Sequence, residues 1–140
     1  MEKLFLILLA LLGLAACNKE LVSEAPPQTP YELWRSKNLR DYTIDQVRTC
    51  FCPDAGDAVR ITVRSDTIFS LTKVSDGSVV TSPYYYTVDS LFGIIKNPNG
   101  DSLVVRYNSI YGFPEYLDIN PQQHPVDGGA LYETSNLRKE

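Results

Sequence analysis

Thr87-Val88-Asp89-Ser90-Leu91-Phe92-Gly93-Ile94-Ile95-Lys96 decides the fold, because it reads as a helix set between two runs of strands. Thr87 is a good N-cap, and Asp89 suits the positive end of the helix dipole. Val88, Leu91, Phe92 and Ile95 recur at i, i+3, i+4 and i+7, which gives one apolar stripe. Tyr86, just ahead of the cap, is placed to staple onto Leu91. Asn97-Pro98-Asn99-Gly100 then stops the helix with turn-forming residues.

Upstream of this helix the period is two. From Asp41, residues Tyr42, Ile44, Gln46, Arg48, Cys50 and Cys52 fall on one face, and Thr43, Val47, Thr49 and Phe51 on the other. Neither face is purely apolar, so this strand rests on its β-branched and aromatic content. Val59, Ile61 and Val63 alternate with Arg60, Thr62 and Arg64, the pattern of a half-buried strand. Ser65-Asp66 makes a two-residue turn into a third strand over Thr67–Val74, with Phe69 and Leu71 on one face. A loop with Asp76-Gly77 and Pro83 leads to the helix. Downstream, Leu103–Tyr107, Tyr116–Ile119 and Ala130–Leu137 read as three more strands, separated by Gly112-Phe113-Pro114 and by a Pro- and Gly-bearing loop.

A shorter helix precedes the strands. Thr29-Pro30-Tyr31-Glu32 is a capping box with proline at the first helical position, and the spacing predicts a helix to about Leu39. The order helix, three strands, helix, three strands predicts one small α+β domain. Its expected form is an antiparallel sheet of about six strands with two helices packed on one face.

The first residues carry a different signal. Met1-Glu2-Lys3 is followed by an apolar run from Leu4 to Leu14 and by Ala15-Ala16-Cys17. That run is shorter than the roughly 20 residues needed to span a bilayer. It matches a secretion signal over residues 1–16, and Leu14-Ala15-Ala16-Cys17 resembles the lipobox of bacterial lipoproteins. The resemblance implies that Cys17 is lipidated and becomes the first residue of the mature chain. Multiple acyl chains anchor stably, since each buried CH₂ contributes about 0.8 kcal/mol. Residues 17–28 are polar and end near Pro26-Pro27, which predicts a flexible tether, with the folded domain over 29–140. Asn18 is not the aspartate that retains many lipoproteins at the inner membrane, so the outer membrane of a Gram-negative envelope is the expected location. Lys19-Glu20 only faintly resembles a surface-export tag.

The net charge of −4 and the dispersed lysines and arginines exclude a nucleic-acid role. Tyr42, Cys50-Phe51-Cys52, the Val59–Val63 strand, Thr87-Val88-Asp89-Ser90-Leu91-Phe92, Val105-Arg106-Tyr107-Asn108, Gly112-Phe113-Pro114, Leu117-Asp118-Ile119 and Asp127 follow one another in an order that resembles the DUF6174 family. Those small secreted and lipid-anchored bacterial proteins have no assigned activity. The resemblance covers about residues 40–137 and implies a layout without supplying a catalytic residue.

Cys50 and Cys52 are the sharpest chemical feature. With Cys17 consumed by lipid they are the remaining pair of the three cysteines, in an oxidising compartment. Residues two apart in an ideal strand have Cα atoms roughly 6.6 Å apart, at the upper edge of disulfide geometry, so a bond there needs a local bulge. A structural staple is the favoured reading and a redox-active pair the alternative. A metal site would have to recruit His124, the only histidine, across distant loops, so none is expected. His124, between Asp118 and Asp127, has no nucleophile motif near it and reads as a solvated loop residue. Asn97, Asn99 and Asp101 hint at a calcium loop but lack the distal glutamate, and a turn explains them. Tyr84, Tyr85, Tyr86, Tyr111 and Phe113 are candidates for an aromatic binding surface, because tyrosine offers a large amphipathic face with few rotors.

These readings lead to a lipid-anchored, non-catalytic envelope module that binds a protein or another envelope component through a loop or the free sheet face and needs no cofactor. The alternatives are an inhibitor-like lipoprotein that plugs an enzyme cleft, and a redox protein using Cys50 and Cys52.

Overall fold

The computed structural model describes residues 28–53, 55–126 and 128–140. The signal, Cys17 and nearly all of the tether expected from the sequence lie outside these residues. The elements are α1 (Pro30–Ser36), β1 (Tyr42–Thr49), β2 (Ala58–Arg64), β3 (Thr67–Lys73), α2 (Val88–Lys96), β4 (Leu103–Tyr107), β5 (Pro114–Ile119), a 3₁₀ segment (Pro121–Val126) and β6 (Ala130–Lys139). The strands form one six-stranded antiparallel sheet in the order β3-β2-β1-β6-β5-β4. This is a small α+β domain with two helices.

Two meanders build the sheet. β1, β2 and β3 step outward from the centre. α2 then carries the chain from the β3 edge to the opposite edge, where β4, β5 and β6 step back inward. β6 closes on β1, from Tyr42 opposite Lys139 to Thr49 opposite Leu131. Antiparallel neighbours need only tight turns, whereas a crossing between opposite edges needs a spacer, and α2 is that spacer. Ser65 and Asp66 both take positive φ (47° and 66°), as a hairpin turn matched to strand twist requires.

The register gives the sheet two distinguishable ends. The start of β1, the end of β6 and the β4–β5 loop lie at one end, where Pro30 and Leu33 of α1 pack on Gly112. The chain enters here. The loops after β1, β3, α2 and β5 lie at the other end, roughly 25 Å away along the eight residues of β1.

Alternation fills the core. Ile44, Val59, Ile61 and Val63 from the sheet pack with Val88 and Phe92 from α2, Trp34 from α1, and Tyr42, Tyr85 and Phe113. Leu91 joins Leu117 and Tyr132 in an adjoining cluster, against which Tyr86 packs. The polar members of the inward face of β1 also have their reason. The Tyr42 hydroxyl accepts the Val88 N–H at 3.1 Å, and the wholly buried Gln46 amide accepts the Tyr86 N–H at 3.1 Å. Those side chains satisfy donors at the start of α2 that the helix cannot satisfy itself. The Thr29 capping box is formed in full, and Thr87 accepts the Ser90 N–H at 3.1 Å.

Three sequence expectations need correction. α1 ends at Ser36 rather than Leu39, because Asn38 adopts positive φ (49°) and turns the chain. β1 ends at Thr49, so Cys50 and Cys52 stand in a turn. There the Gly56 N–H reaches back to the Arg48 carbonyl at 2.8 Å. In β3 a register shift pairs Thr62 with Ser70 but Val63 with Ile68. The extra residue, Phe69, points out to solvent, and Ile68 joins Leu71 at the core.

Candidate binding surface at the far end of the sheet

The turn after β1 brings Cys50 and Cys52 together as a disulfide with Cα atoms 5.3 Å apart. Leaving the strand is what shortens that separation from its extended value. The cross-link closes a loop with Phe51 at its tip, and Phe51 is 78% exposed. A phenylalanine left in water is unfavourable by the hydrophobic term, and here it is held out by a covalent closure.

Arg48 lies just before this turn, with its guanidinium 4.2 Å over the ring of Tyr84. Tyr84 is half exposed. Beside it, Tyr86 meets Tyr132 edge-to-face at 5.4 Å between centroids. Burial pushes the Tyr132 phenol up to about 12, with the neighbouring Tyr86 adding to the rise and Arg48 opposing it. The turn's far side is braced by Lys73 to Asp57 at 2.8 Å. Tyr84 thus covers Arg48 at the end of the sheet opposite the chain's entry, where the turn bearing Phe51 also lies.

The other expected aromatic residues do not join this surface. Tyr85 and Phe113 are 3% and 4% exposed and belong to the core, which corrects their reading as surface residues. Tyr86 is half buried against the second cluster. Tyr111 lies in the β4–β5 loop at the entry end, with Lys37 5.7 Å from its ring centroid, so it stands at the opposite end from Tyr84. The single aromatic patch expected from the sequence is therefore split between the two ends of the sheet.

His124 is not the freely solvated residue expected. Its Nε2 stands 2.8 Å from Asp118 Oδ1, aimed off the hydrogen-bond direction, so the two side chains are packed together without a hydrogen bond. The other Asp118 oxygen accepts from the Tyr116 hydroxyl at 3.2 Å, and Arg106 stacks on Tyr116 at 3.8 Å. Among the described residues no hydroxyl or thiol is hydrogen-bonded to His124, so the group lacks a nucleophile. Asp101 and Asn120 bond each other at 2.7 Å, and Asn120 also accepts the Ser102 N–H at 2.9 Å. These bonds tie the turn after α2 to the end of β5. Among the described residues no three His, Cys, Asp or Glu side chains gather as metal ligands. The sequence reading missed Arg48 as the organiser of the far end. Its position among inward-facing residues, where a cation needs a partner, was the available signal.

The structure is a six-stranded α+β domain with an exposed aromatic residue, Phe51, at the tip of a cross-linked turn. The chain belongs to DUF6174, a family of unknown function, whose model matches residues 28–139. That span reaches back to include α1. No curated protein and no solved structure matches the chain. Among the described residues, no helix is long and apolar enough to cross a membrane.

Proposed function

We propose that this protein is a lipid-anchored module of the bacterial envelope, held by Cys17 at the outer membrane, that binds a partner protein without catalysing a reaction on it. The observation that carries the binding reading is Phe51, exposed at the tip of the Cys50–Cys52 turn. A large apolar side chain on a covalently closed turn loses little conformational freedom on docking, the property of an interface anchor. The Arg48–Tyr84 pair beside it adds residue types enriched in such anchors. The polarity of the fold supports the anchoring. The chain enters at one end of the sheet and Phe51 stands at the other, so a tether from the bilayer leaves Phe51 facing away from it.

The test places a photo-crosslinking amino acid at position 51 or at Ile110, an exposed residue of the entry-end loop, in the full-length protein in its own envelope. A discrete adduct from position 51 and none from 110 is expected. The reverse pattern overturns the reading. Metabolic labelling with a palmitate analogue tests the anchor separately, with incorporation expected in the wild type and lost in Cys17→Ser.

A further inference from the structure

The two edges of the sheet are treated differently. At β3 the following loop folds back as a partial cover. Val79 bridges Thr72, the Lys73 N–H reaches Ser78 O at 2.8 Å, and the Val80 N–H reaches Leu71 O at 3.0 Å. At β4 the described residues provide nothing comparable. Among the described residues, the backbone of Leu103–Tyr107 pairs only with β5. An uncovered edge strand presents a row of donors and acceptors that another strand can complete.

The helix-bearing side of that edge is not filled. Leu103, Val105 and Tyr107 turn inward, and beside Tyr107 lies a largely apolar groove of about 400 Å³, bounded by Tyr31 of α1 and by Asp89, Phe92, Ile95 and Lys96 of α2, with the Asp89 carboxylate facing Arg35 at 3.5 Å. Gly93 also lines it. A glycine inside a helix costs stability relative to alanine. Nothing in the fold requires one here: its φ is not positive, and a Cβ at this position would meet no atom within 4 Å. The absent side chain leaves the groove open. On the outer side of β4, Arg106 is exposed, and neither it nor Lys96 has a carboxylate partner among the described residues.

We infer that β4 and this groove form a second binding site, which takes an extended segment of a partner protein in which acidic and large apolar residues alternate. The segment adds a strand along Leu103–Tyr107. Because strand side chains alternate between faces, every second one lies in the groove against the edges of Phe92 and Tyr107, whose rings stack at 6.0 Å between centroids, while the acidic ones run beside Arg106. Lys96 meets an acidic residue at the end of the segment. The site lies apart from Phe51 and does not depend on the reading of that turn.

The probe is a fluorescent peptide, Glu-Val-Glu-Phe-Glu-Val-Glu with blocked ends, titrated onto the full mature protein in mild detergent and followed by anisotropy. Saturable binding is expected, with slowed amide exchange confined to β4. Gly93→Leu fills the groove, and Arg106→Glu reverses the outer charge. Each is expected to weaken binding by about tenfold or more, with Phe51→Ala leaving it unchanged. Replacing the peptide's glutamates by lysines is expected to abolish it. Binding that survives Gly93→Leu, Arg106→Glu and the lysine peptide alike overturns the inference. So does protection, already present without peptide, of those amides of 103–107 that point away from β5, which would mean that the preceding segment of the chain or a second copy occupies the edge. A monomeric or dimeric mass tells these two apart. Melting curves of both variants matching the wild type separate a lost site from a lost fold.

Discussion

Arg60 and Asp45, directly opposite in register on β2 and β1, share two parallel hydrogen bonds, Nε to Oδ1 at 2.8 Å and Nη2 to Oδ2 at 3.0 Å. Asp45 is 5% exposed and receives a third bond from Asn136 Nδ2 at 3.1 Å. Burial alone would raise its carboxyl, but the bonds from Arg60 and Asn136 and the charges of Arg60 and Arg138 outweigh it and hold the group below its ordinary 3.8. A depressed carboxylate stabilises the fold above its unfolded pKa, and that contribution is lost as pH falls through the folded value. Arg60→Ala is expected to cost about 2 kcal/mol, short of a fully buried pair because Arg60 keeps part of its side chain in water. The cost should shrink as pH falls through the depressed folded value of Asp45, where its carboxylate is lost and with it the ion pair. Urea unfolding at pH 7 and pH 3 measures this. An equal loss at both would remove the ionic explanation.

Much of this architecture was legible because local rules agreed with it. The alternation at Val59, Ile61 and Val63, the Thr87-capped stripe and the Ser65-Asp66 turn each specify one element, and rules of the same kind along the rest of the chain give the six strands and two helices in order. The neighbour relations were not legible. β6 beside β1 rests on pairings more than eighty residues apart, such as Thr49 with Leu131, which no short-range pattern encodes. The impure face of β1 was read as a weak strand, yet Tyr42 and Gln46 are polar because they fasten the start of α2. Tyr84 and Tyr85 have the same composition and opposite fates, and only the packing of the loop decides which is buried. The pairing of Cys50 with Cys52 was legible as a candidate. Its place in a turn was not, since the alternation continues past the point where the strand stops.

Gly112 is the point where α1 sits down on the sheet. Its φ is +81°, and a Cβ there would run into the Pro30 carbonyl oxygen and stand 3.0 Å from the Trp34 nitrogen. Gly112→Ala should therefore cost about 2 kcal/mol from backbone strain, and more if α1 is pushed away. Trp34 is the only tryptophan and is 2% exposed, so its emission should shift to the red if α1 lifts. An unchanged denaturation midpoint together with unchanged emission would show that the contact is slack.

Alkali should unfold the domain through its buried phenols. Burial is the main force raising both Tyr42 and Tyr132. At Tyr42 the Val88 N–H bond pulls the other way and the Asp89 charge adds to the rise. A raised folded pKa means that stability is fully present below the ordinary value of 10.0 and declines as pH climbs toward about 12. Titration at 295 nm with circular dichroism alongside should show a late, cooperative ionisation step coincident with unfolding. All nine tyrosines ionising together with the dichroism intact would contradict it. Tyr42→Phe, which leaves the buried Val88 N–H without its acceptor, is expected to cost about 1.5 kcal/mol at neutral pH.

The Cys50–Cys52 turn offers the sharpest separation of stability from function. Phe51 is 78% exposed, so Phe51→Ala should leave the unfolding free energy within about 0.5 kcal/mol of wild type. The disulfide closes a very small loop, and opening it with Cys50→Ser and Cys52→Ser should cost no more than about 2 kcal/mol. Both changes are nevertheless expected to reduce capture of the partner cross-linked from this end, with the probe moved to Tyr84 so that position 51 is free to vary. Phe51→Ala removes the anchor. The double serine variant keeps the anchor but frees its backbone, so ordering it again on docking costs affinity. If the serine variant loses several kcal/mol of stability, the bond is chiefly a structural staple. If Phe51→Ala leaves the Tyr84 adduct undiminished, the exposed ring is not an anchor and the binding role of this turn fails.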